Sequence, residues 1–596
     1  MKRNLVFIIT VVVVFVVINS CRKSFLDSNS GGELSEFTLA NENGIDALLI
    51  GAYSMLDGVS SVSGDWQSAS SNWLFGSIRG LEANKGTDSG DSGDYNWIQN
   101  FSESASNLWA TISLNIKWKE VYEAISRCNS AIIVINKALK QGSLSQSKAE
   151  SLMKQARTLR GWYHFEAWRM WKMVPYINEK PDSVIQSNKP DIRSKIIDDL
   201  TQGITLPDNM GAVGKFNGTV SKVLLAKALM QMNHDYAAAL TLLQQAKTGT
   251  KPDGSPIGLA PTYGEIFDIA DRNGIEAVYT VQYSVNDGSG GLNGGEGEVL
   301  NFPYKTGASP AGCCGFFQPT QEFVNSFRTS GGLPLLDFSY NSQPIKNDMG
   351  LPANPAKHPV TRLAYTDAGF VPDSGPLDPR LDWSVGRRGI PYWDWGLHTG
   401  SDWIRDQYYA GPYSPKKQVY KLSQQGKYTE NGSWTNGFTA NGYRMIRFAD
   451  VLLMIAECQI ETNDLAGALV NINLVRARAA NPQGFVMKID ANGIPTTTPA
   501  ANYVINQYTT LGNQENARLA LRMERKLELG QEGHRYFDLN RWGITVTELN
   551  RALNYERSMP WGRSMYGDAI VGNEDVTFPI PQIQIDLSMG ILVQNR

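Results

Sequence analysis

The chain has 596 residues, a formal net charge of −3 and an isoelectric point near 6.1. It carries no basic run interleaved with aromatics, so nothing in its charge pattern suits a nucleic-acid partner. With five histidines scattered along the chain and no C-x-x-C pair, a structural zinc centre is not expected either. No Pro- or Gly-rich linker divides the sequence, which points to one large body. Aromatics make up 10% of the chain and include 15 Trp. That load exceeds what a modest helical core needs, so some rings are expected to face a ligand.

At the N-terminus, Lys2 and Arg3 precede the apolar run Leu5–Ile18, interrupted only by Thr10. The run is short of the roughly 20 residues a bilayer span requires and suits the apolar part of a signal peptide. It ends in Ile18-Asn19-Ser20-Cys21, which resembles the lipobox of bacterial lipoproteins. Residues 1–20 are thus expected to be cleaved and Cys21 to carry lipid, each buried CH₂ contributing about 0.8 kcal/mol to membrane attachment. Residues 21–40 read as a lipidated tether.

The first helix is predicted from about Gly44 to Leu56, with Ile45, Leu48, Leu49 and Ala52 on one side. Residues 57–108 break the period: they are rich in Ser, Gly, Asp and Asn, yet carry Trp66, Trp73, Phe75, Tyr95 and Trp97. Helices follow over about 114–141 and 146–171, the second stopping before Pro175. His164 lies inside it among Trp162, Phe165 and Trp168 and reads as a core histidine. Three more helices are predicted over 191–206, 219–232 and 235–247. The last two form a hairpin with Ala226, Ala228, Ala238 and Ala239 at the contact, the habit of tetratricopeptide-like units. The repeat has no even period, so a partial solenoid of helix pairs is expected.

From Pro252 to Thr439 the helical period fails, and only short alternating runs such as Ala277–Tyr283 suggest strands. Long irregular segments that survive inside a compact body often carry function. Cys313 and Cys314 are adjacent here, as a vicinal disulfide or as two free thiols; Cys128 and Cys458, in helical patterns, read as small buried hydrophobes. Helices return over 443–462 and 465–479, with Asn463 or Asp464 as the cap between them. In the stretch Asn516–Trp542, Ala520, Met523 and Leu527 make one apolar stripe, and Glu524 and Glu528 lie four apart on a neighbouring face. Gly530 and Gly533 then bend the chain before a second short helix. The charges of this stretch read as a structural salt-bridge cluster rather than a catalytic one.

The block E-R-x-x-E-L-x-x-E-G-x-R-x-x-D-L-x-R-W, Glu524 to Trp542, resembles the hallmark of the SusD/RagB family of outer-membrane nutrient-binding lipoproteins. Further similar blocks lie in both long helices before Pro175, in R-x-x-D-V-L-L-M-x-A-E after Tyr443, and in the tail from Pro579 to Asn595. The tail has Gln584 and Ser588-Met589 where the family usually has Glu and Asn-Pro. The resemblance implies a mainly α fold of tetratricopeptide-like helix pairs with long irregular loop insertions and few short strands. It divides the body 41–596 into a scaffold, mainly 41–56, 111–250 and 440–550, and a loop-rich ligand-binding part, mainly 57–110 and 251–439. It further implies a lipid-anchored protein on the surface of a Gram-negative outer membrane. Such a protein captures an oligosaccharide, or in some members a peptide, as the lid of a SusC-like TonB-dependent transporter.

A pyranose presents slightly positive C–H groups on one face, and these stack on the negative face of an indole or phenol ring. The segment Pro391-Tyr392-Trp393-Asp394-Trp395, with Trp403 beyond, is the densest cluster; if extended, it projects Trp393 and Trp395 to one side. Trp66, Trp73 and Trp97 are candidates for the opposing wall, with Arg79 or Asn96 for hydroxyl contacts. The competing reading is that these rings pin long loops to the helices. Asp88, Asp91 and Asp94 are candidate ligands for a structural calcium ion, with a solvated acidic turn as the alternative. A glycoside hydrolase using a pair among Asp378, Asp382, Glu296 and Glu298 and a helical protein-interaction scaffold are the readings from other classes. No nucleophile motif supports the former, and the expectation is a binder rather than an enzyme.

Overall fold

In the computed structural model, which describes residues 36–59, 66–104, 108–180, 185–305, 309–352 and 369–596, the helical periods become a row of paired helices. The expected signal peptide, Cys21 and tether residues 22–35 lie outside the described residues, and Glu36–Leu39, at the end of the expected tether, is a short helix. Leu108–Gln141 and Gln146–Trp171 pack as a hairpin. Arg193–Gln202 follows, ending in a 3₁₀ turn at Gly203–Thr205 where one helix to 206 was expected. Gly218–Asn233 and Tyr236–Lys247 form the next hairpin, with Ala226, Ala228 and Ala239 fully buried at the contact. Tyr236–Lys247 packs on Phe448–Glu461, which pairs with Leu465–Ala479, and Gln514–Leu529 lies across both. The fold is mainly α, built from tetratricopeptide-like helix pairs, with a long irregular insertion between the second hairpin and the third.

Local chemistry sets where these helices begin. Ser145, Asn217, Asp235, Asp464 and Asn513 each precede a helix, and each side chain accepts a hydrogen bond from the backbone N–H three residues on. Each such cap is worth about 1 kcal/mol over alanine. His164 is a core histidine as expected: Ile177 N–H donates to its Nε2 at 3.0 Å, and burial pushes its pKa down to about 3. Strands are short and paired in antiparallel two-stranded ladders. Ala83–Gly86 pairs with Phe316–Pro319, Ala277–Tyr279 with Ile446–Arg447, and Val385–Gly386 with Ser414–Pro415. Cys313 and Cys314 are joined as a vicinal disulfide, and Cys128 and Cys458 are buried free thiols.

The helix Gln514–Leu529 buries Ala520, Met523 and Leu527 as its stripe predicts, but Glu524 and Glu528 are buried as completely. Arg380 donates to Glu524 at 2.6 Å and Glu528 at 3.1 Å, and Arg476 reaches Glu524 at 2.8 Å. Arg447 joins Glu528 at 3.0 Å, Glu532 at 2.7 Å and Glu276 at 2.6 Å. Arg478 bridges Glu276 and Glu528, Lys417 caps Glu532 at 2.8 Å, and Asp378 holds Arg380 at 2.8 Å. Five acids (Glu276, Asp378, Glu524, Glu528, Glu532) thus meet five bases (Arg380, Lys417, Arg447, Arg476, Arg478), all buried. The turn after this helix is pinned as tightly. Gly533 has a positive φ of 80°, and a Cβ there would meet the Ser71 carbonyl oxygen at 1.8 Å, so only glycine lets residues 71–76 lie against it.

Replacing Glu528 by Gln leaves Arg447 and Arg478 short of charge in a dry site, and removing one member of a buried pair costs about 3–5 kcal/mol. Urea titration of Glu528→Gln should show a loss of that size; an unchanged midpoint would mean that the cluster contributes nothing net. Burial alone would raise the Glu532 pKa, but Arg447 and Lys417 outweigh it and hold it down at about 2. Its contribution is present above the unfolded glutamate value of about 4.3 and is lost as pH falls toward 2.

Candidate functional site

Most of the rings expected to meet a ligand are packed inside. Trp73 is 1% exposed, and its Nε1 donates to the Gly297 carbonyl at 2.9 Å. Tyr392, Trp395 and Trp403 share one apolar cluster with Phe302, Val419 and Tyr420, and Trp395 Nε1 donates to the Tyr420 carbonyl at 2.9 Å. The segment is not extended: Tyr392 N–H donates to Gly396 O at 2.8 Å, Pro391 bridges Leu397, and Trp393 has a φ of 51°. Trp393 and Trp395 therefore do not share a face, and half-buried Trp393 lies 5.1 Å from the Trp383 ring. Trp66 is half-buried against the main core. Arg79 is fully buried, in two 2.8 Å bonds to Glu103 and 4.1 Å from the Phe101 ring, and cannot reach a bound hydroxyl. The rings share one physical reason: loops this long contain few apolar residues, and their large rings supply the burial that fastens them, whereas Arg79 is held inside by Glu103 and Asp575.

Trp97 is the expected ring that stands most open, at 37% exposure. It sits on the short helix Asp94–Gln99, at a rim where three segments interlock. Asn96 accepts from Tyr409 Oη at 2.7 Å and donates to Ser89 O at 3.1 Å. Arg405 pairs with Asp88 at 2.8 Å and Asp91 at 2.5 Å, and its guanidinium lies 5.6 Å from the ring of half-buried Tyr304. Tyr304 N–H is held by the Trp403 carbonyl at 2.9 Å, and Tyr408, 67% exposed, follows on the same segment as Arg405. Thr435 Oγ1 donates to Ala311 O at 2.7 Å, which fastens the loop of the 62% exposed Trp434 to the residues after Tyr304. Trp97, Tyr408 and Trp434 are thus exposed on irregular segments, and half-buried Tyr304 lies beside the half-exposed Arg405.

Sequence reading missed Tyr304, Arg405, Tyr408 and Trp434. A signal existed for Trp434: turn formers flank it on both sides, Asn431-Gly432-Ser433 and Thr435-Asn436-Gly437, and Phe438, 5.8 Å away edge-on, is the nearest apolar residue in sequence.

The acidic stretch is built around basic side chains. Lys85 Nζ donates to the carbonyls of Asp88 and Asp91 at 2.7 and 2.6 Å, Arg405 takes both carboxylates, and Asp94 accepts from Ser113 Oγ at 2.7 Å. Among the described residues no group of three acidic, His or Cys side chains has the geometry for a metal ion. Backbone N–H bonds, chiefly from Asp91, hold the Asp88 carboxyl below its usual range. The carboxylates considered for hydrolysis are buried as well: Asp378 is paired with Arg380, Asp382 with Arg387 at 2.6 Å, and Glu298 accepts from Tyr283 at 3.1 Å. Glu296 lies two residues before Glu298 in the same buried turn.

A helical-repeat framework with long irregular insertions that leave a few aromatic rings exposed defines the class of this protein. The profile described as the SusD family matches residues 275–596, and one described as starch-binding, associating with the outer membrane, matches residues 25–229. The chain belongs to the SusD family. The SusD-like protein P25 of Formosa agariphila is 37% identical over 102 residues, 17% of this chain and 15% of that relative's length. A SusD homolog from Bacteroides thetaiotaomicron superposes with a TM-score of 0.63 at 19% identity, covering 94% of this chain and 99% of the other. Surface glycan-binding protein A of the same organism, solved with laminarihexaose, gives 0.60 at 20% identity, covering 93% and 99%. At those identities the likeness extends to the fold.

Trp395→Ala empties a packed site and should cost about 3–5 kcal/mol in thermal or urea denaturation. Glycan retention by its folded fraction should stay unchanged; lost retention at full stability would return Trp395 to the binding surface.

Proposed function

We propose that this protein is a cell-surface lipoprotein that captures an oligosaccharide and passes it, chemically unchanged, to a SusC-like TonB-dependent transporter of the outer membrane. The observation that carries the reading is the set of rings the irregular segments leave open, Trp97, Tyr408 and Trp434, with half-buried Tyr304 beside Arg405. Each ring stacked on a pyranose contributes about 0.5–1.5 kcal/mol by analogy with aromatic pairs, so several together give binding in the millimolar to micromolar range. Arg405 and its two aspartates are about one-third exposed, and such surface pairs are worth at most about 1 kcal/mol. They can be rearranged around sugar hydroxyls at little cost. The lipobox-like Ile18–Cys21 supports the anchor, and the outer-membrane association in the description of the 25–229 profile supports the location. Solved SusD-like relatives described as binding laminarin or laminarihexaose make a laminarin-type glucan the first ligand to test.

In affinity gels containing laminarin, starch or another glycan, the soluble chain lacking residues 1–21 should be retarded by at least one of them. Trp97→Ala and Tyr304→Ala should each weaken retention roughly five- to tenfold, and no reducing ends should be released on incubation. Released sugar would make the protein an enzyme, and retention untouched in both variants would remove the rim from binding. In cells, Cys21→Ser should move the full chain from the detergent phase to the aqueous phase in a Triton X-114 partition. Retention in the detergent phase would mean that another segment anchors it.

A further inference from the structure

A cavity of about 540 Å³ opens between the helix Glu42–Ser54, residues 212–215 and the segment 279–284. None of the rim residues lines it. Its volume is that of a small-molecule site. Leu49, Ile50 and Val281 line it together with three tyrosines, Tyr53, Tyr279 and Tyr283. The hydroxyls of these rings are already engaged: Tyr53 with Gln155 at 3.3 Å, Tyr279 with Gly214 O at 3.0 Å, and Tyr283 with Glu298 at 3.1 Å. Tyr279 and Tyr283 are buried and Tyr53 half-buried, so what the rings have left to offer a ligand is a narrow strip of aromatic surface.

Asp57 also lines the cavity; its Oδ1 is shut from solvent without a hydrogen-bond partner among the described residues, and the Tyr283 hydroxyl stands against the carboxyl as a neutral neighbour rather than a counter-ion. Glu298 stands behind Tyr283, so the carboxyl end of the cavity is acidic in depth. Burial first, and then the charge of Glu298, push the Asp57 carboxyl well above its ordinary range. Asp46 lines the wall as well, and Lys215 is the one basic side chain among the lining residues. A buried carboxyl without a counter-ion is costly, and the cost is relieved only by a proton or by a cation. Aromatic walls with a carboxylate at one end are the surroundings that an organic ammonium group prefers.

We propose that this cavity is a second ligand site, separate from the glycan rim, for a small molecule bearing a primary ammonium group on an apolar body. The ammonium meets Asp57 and the tyrosine rings, and the body covers Leu49, Ile50 and Val281. The same chemistry occurs in a free organic amine and in a peptide amino terminus.

Isothermal titration with matched probes tests this. 3-Phenylpropylamine should bind at least tenfold more tightly than 3-phenylpropanol. A dipeptide amide with a free phenylalanine amino terminus, compared with its N-acetyl form, tells whether peptide termini share the site. Asp57→Asn should abolish the preference for the amine. Ile50→Lys places a competing ammonium at a residue 65% exposed, where folding tolerates it, and should weaken the amine at least tenfold. Trp97→Ala and Tyr304→Ala should leave amine binding unaltered. Equal affinity for amine and alcohol, absence of binding by both, or full amine binding by Ile50→Lys would overturn the proposal.

Discussion

Ten charged side chains buried side by side govern how this chain folds. Each ion would cost several kcal/mol to remove from water alone, so the interior accepts Glu524, Glu528 and Glu532 only if every one is met by a base in the right place. The bases come from far along the chain. Arg447, Arg476 and Arg478 belong to the helical framework, Arg380 and Lys417 to the irregular insertion, and Glu276 and Asp378 complete the balance from the insertion's two halves. A hydrophobic core would tolerate a slipped loop with partial loss. A neutral ion cluster does not, because one missing partner leaves a bare charge.

That requirement positions the rim. Lys417 follows Ser414–Pro415, which pairs with Val385–Gly386 just beyond Arg380, so the middle of the insertion is held at both ends of a short ladder. From there Gln318 Nε2 donates to the Tyr413 carbonyl at 2.6 Å, and Asn84 Nδ2 donates to the Ala410 carbonyl at 3.0 Å. Asn84 and Gln318 are themselves paired across the ladder of Ala83–Gly86 with Phe316–Pro319. Lys85, next in that strand, folds the Asp88–Asp91 turn, and the turn holds Arg405 beside Tyr304. The path from the charge cluster to Arg405, beside half-buried Tyr304, is a continuous series of backbone and side-chain bonds.

The helical part was legible because its signals are local. Apolar spacing, the cap at Asp464 and the glycine break at 530–533 all act within a few residues. The block Glu524–Trp542 could be read as a salt-bridge cluster because carboxylates and bases crowd one helix. Its true partners, such as Arg380 and Arg447, could not be read, since they are set by tertiary contacts across the chain. The site was the least legible part. A tryptophan in a polar loop has the same sequence signature whether it anchors the loop or faces water, and Trp395 and Trp403 anchor while Trp434 does not. Arg79 shows the same limit for charge: beside polar loop residues it resembled a ligand contact, yet Glu103 and Asp575 neutralise it inside.

Burial of most of the loop aromatics strengthens the case for the few that remain outside. A sugar held by shallow stacking gains little per ring, so any ordering of the rings on binding would consume the gain. Tyr392, Trp395 and Trp403 remove that cost by fixing the loops before a ligand arrives, which leaves Tyr304, Arg405 and Tyr408 on a preformed surface. The same region ties down two of the insertion's acids. Burial would raise Asp378 and Asp373, but Arg380 and Arg328 outweigh it and hold both below the usual carboxylate range, where neither can deliver a proton at neutral pH. Aromatic packing thus fixes the loops while ion pairs hold Asp378 and Asp373 down; burial moves Glu298 the other way, above its usual range.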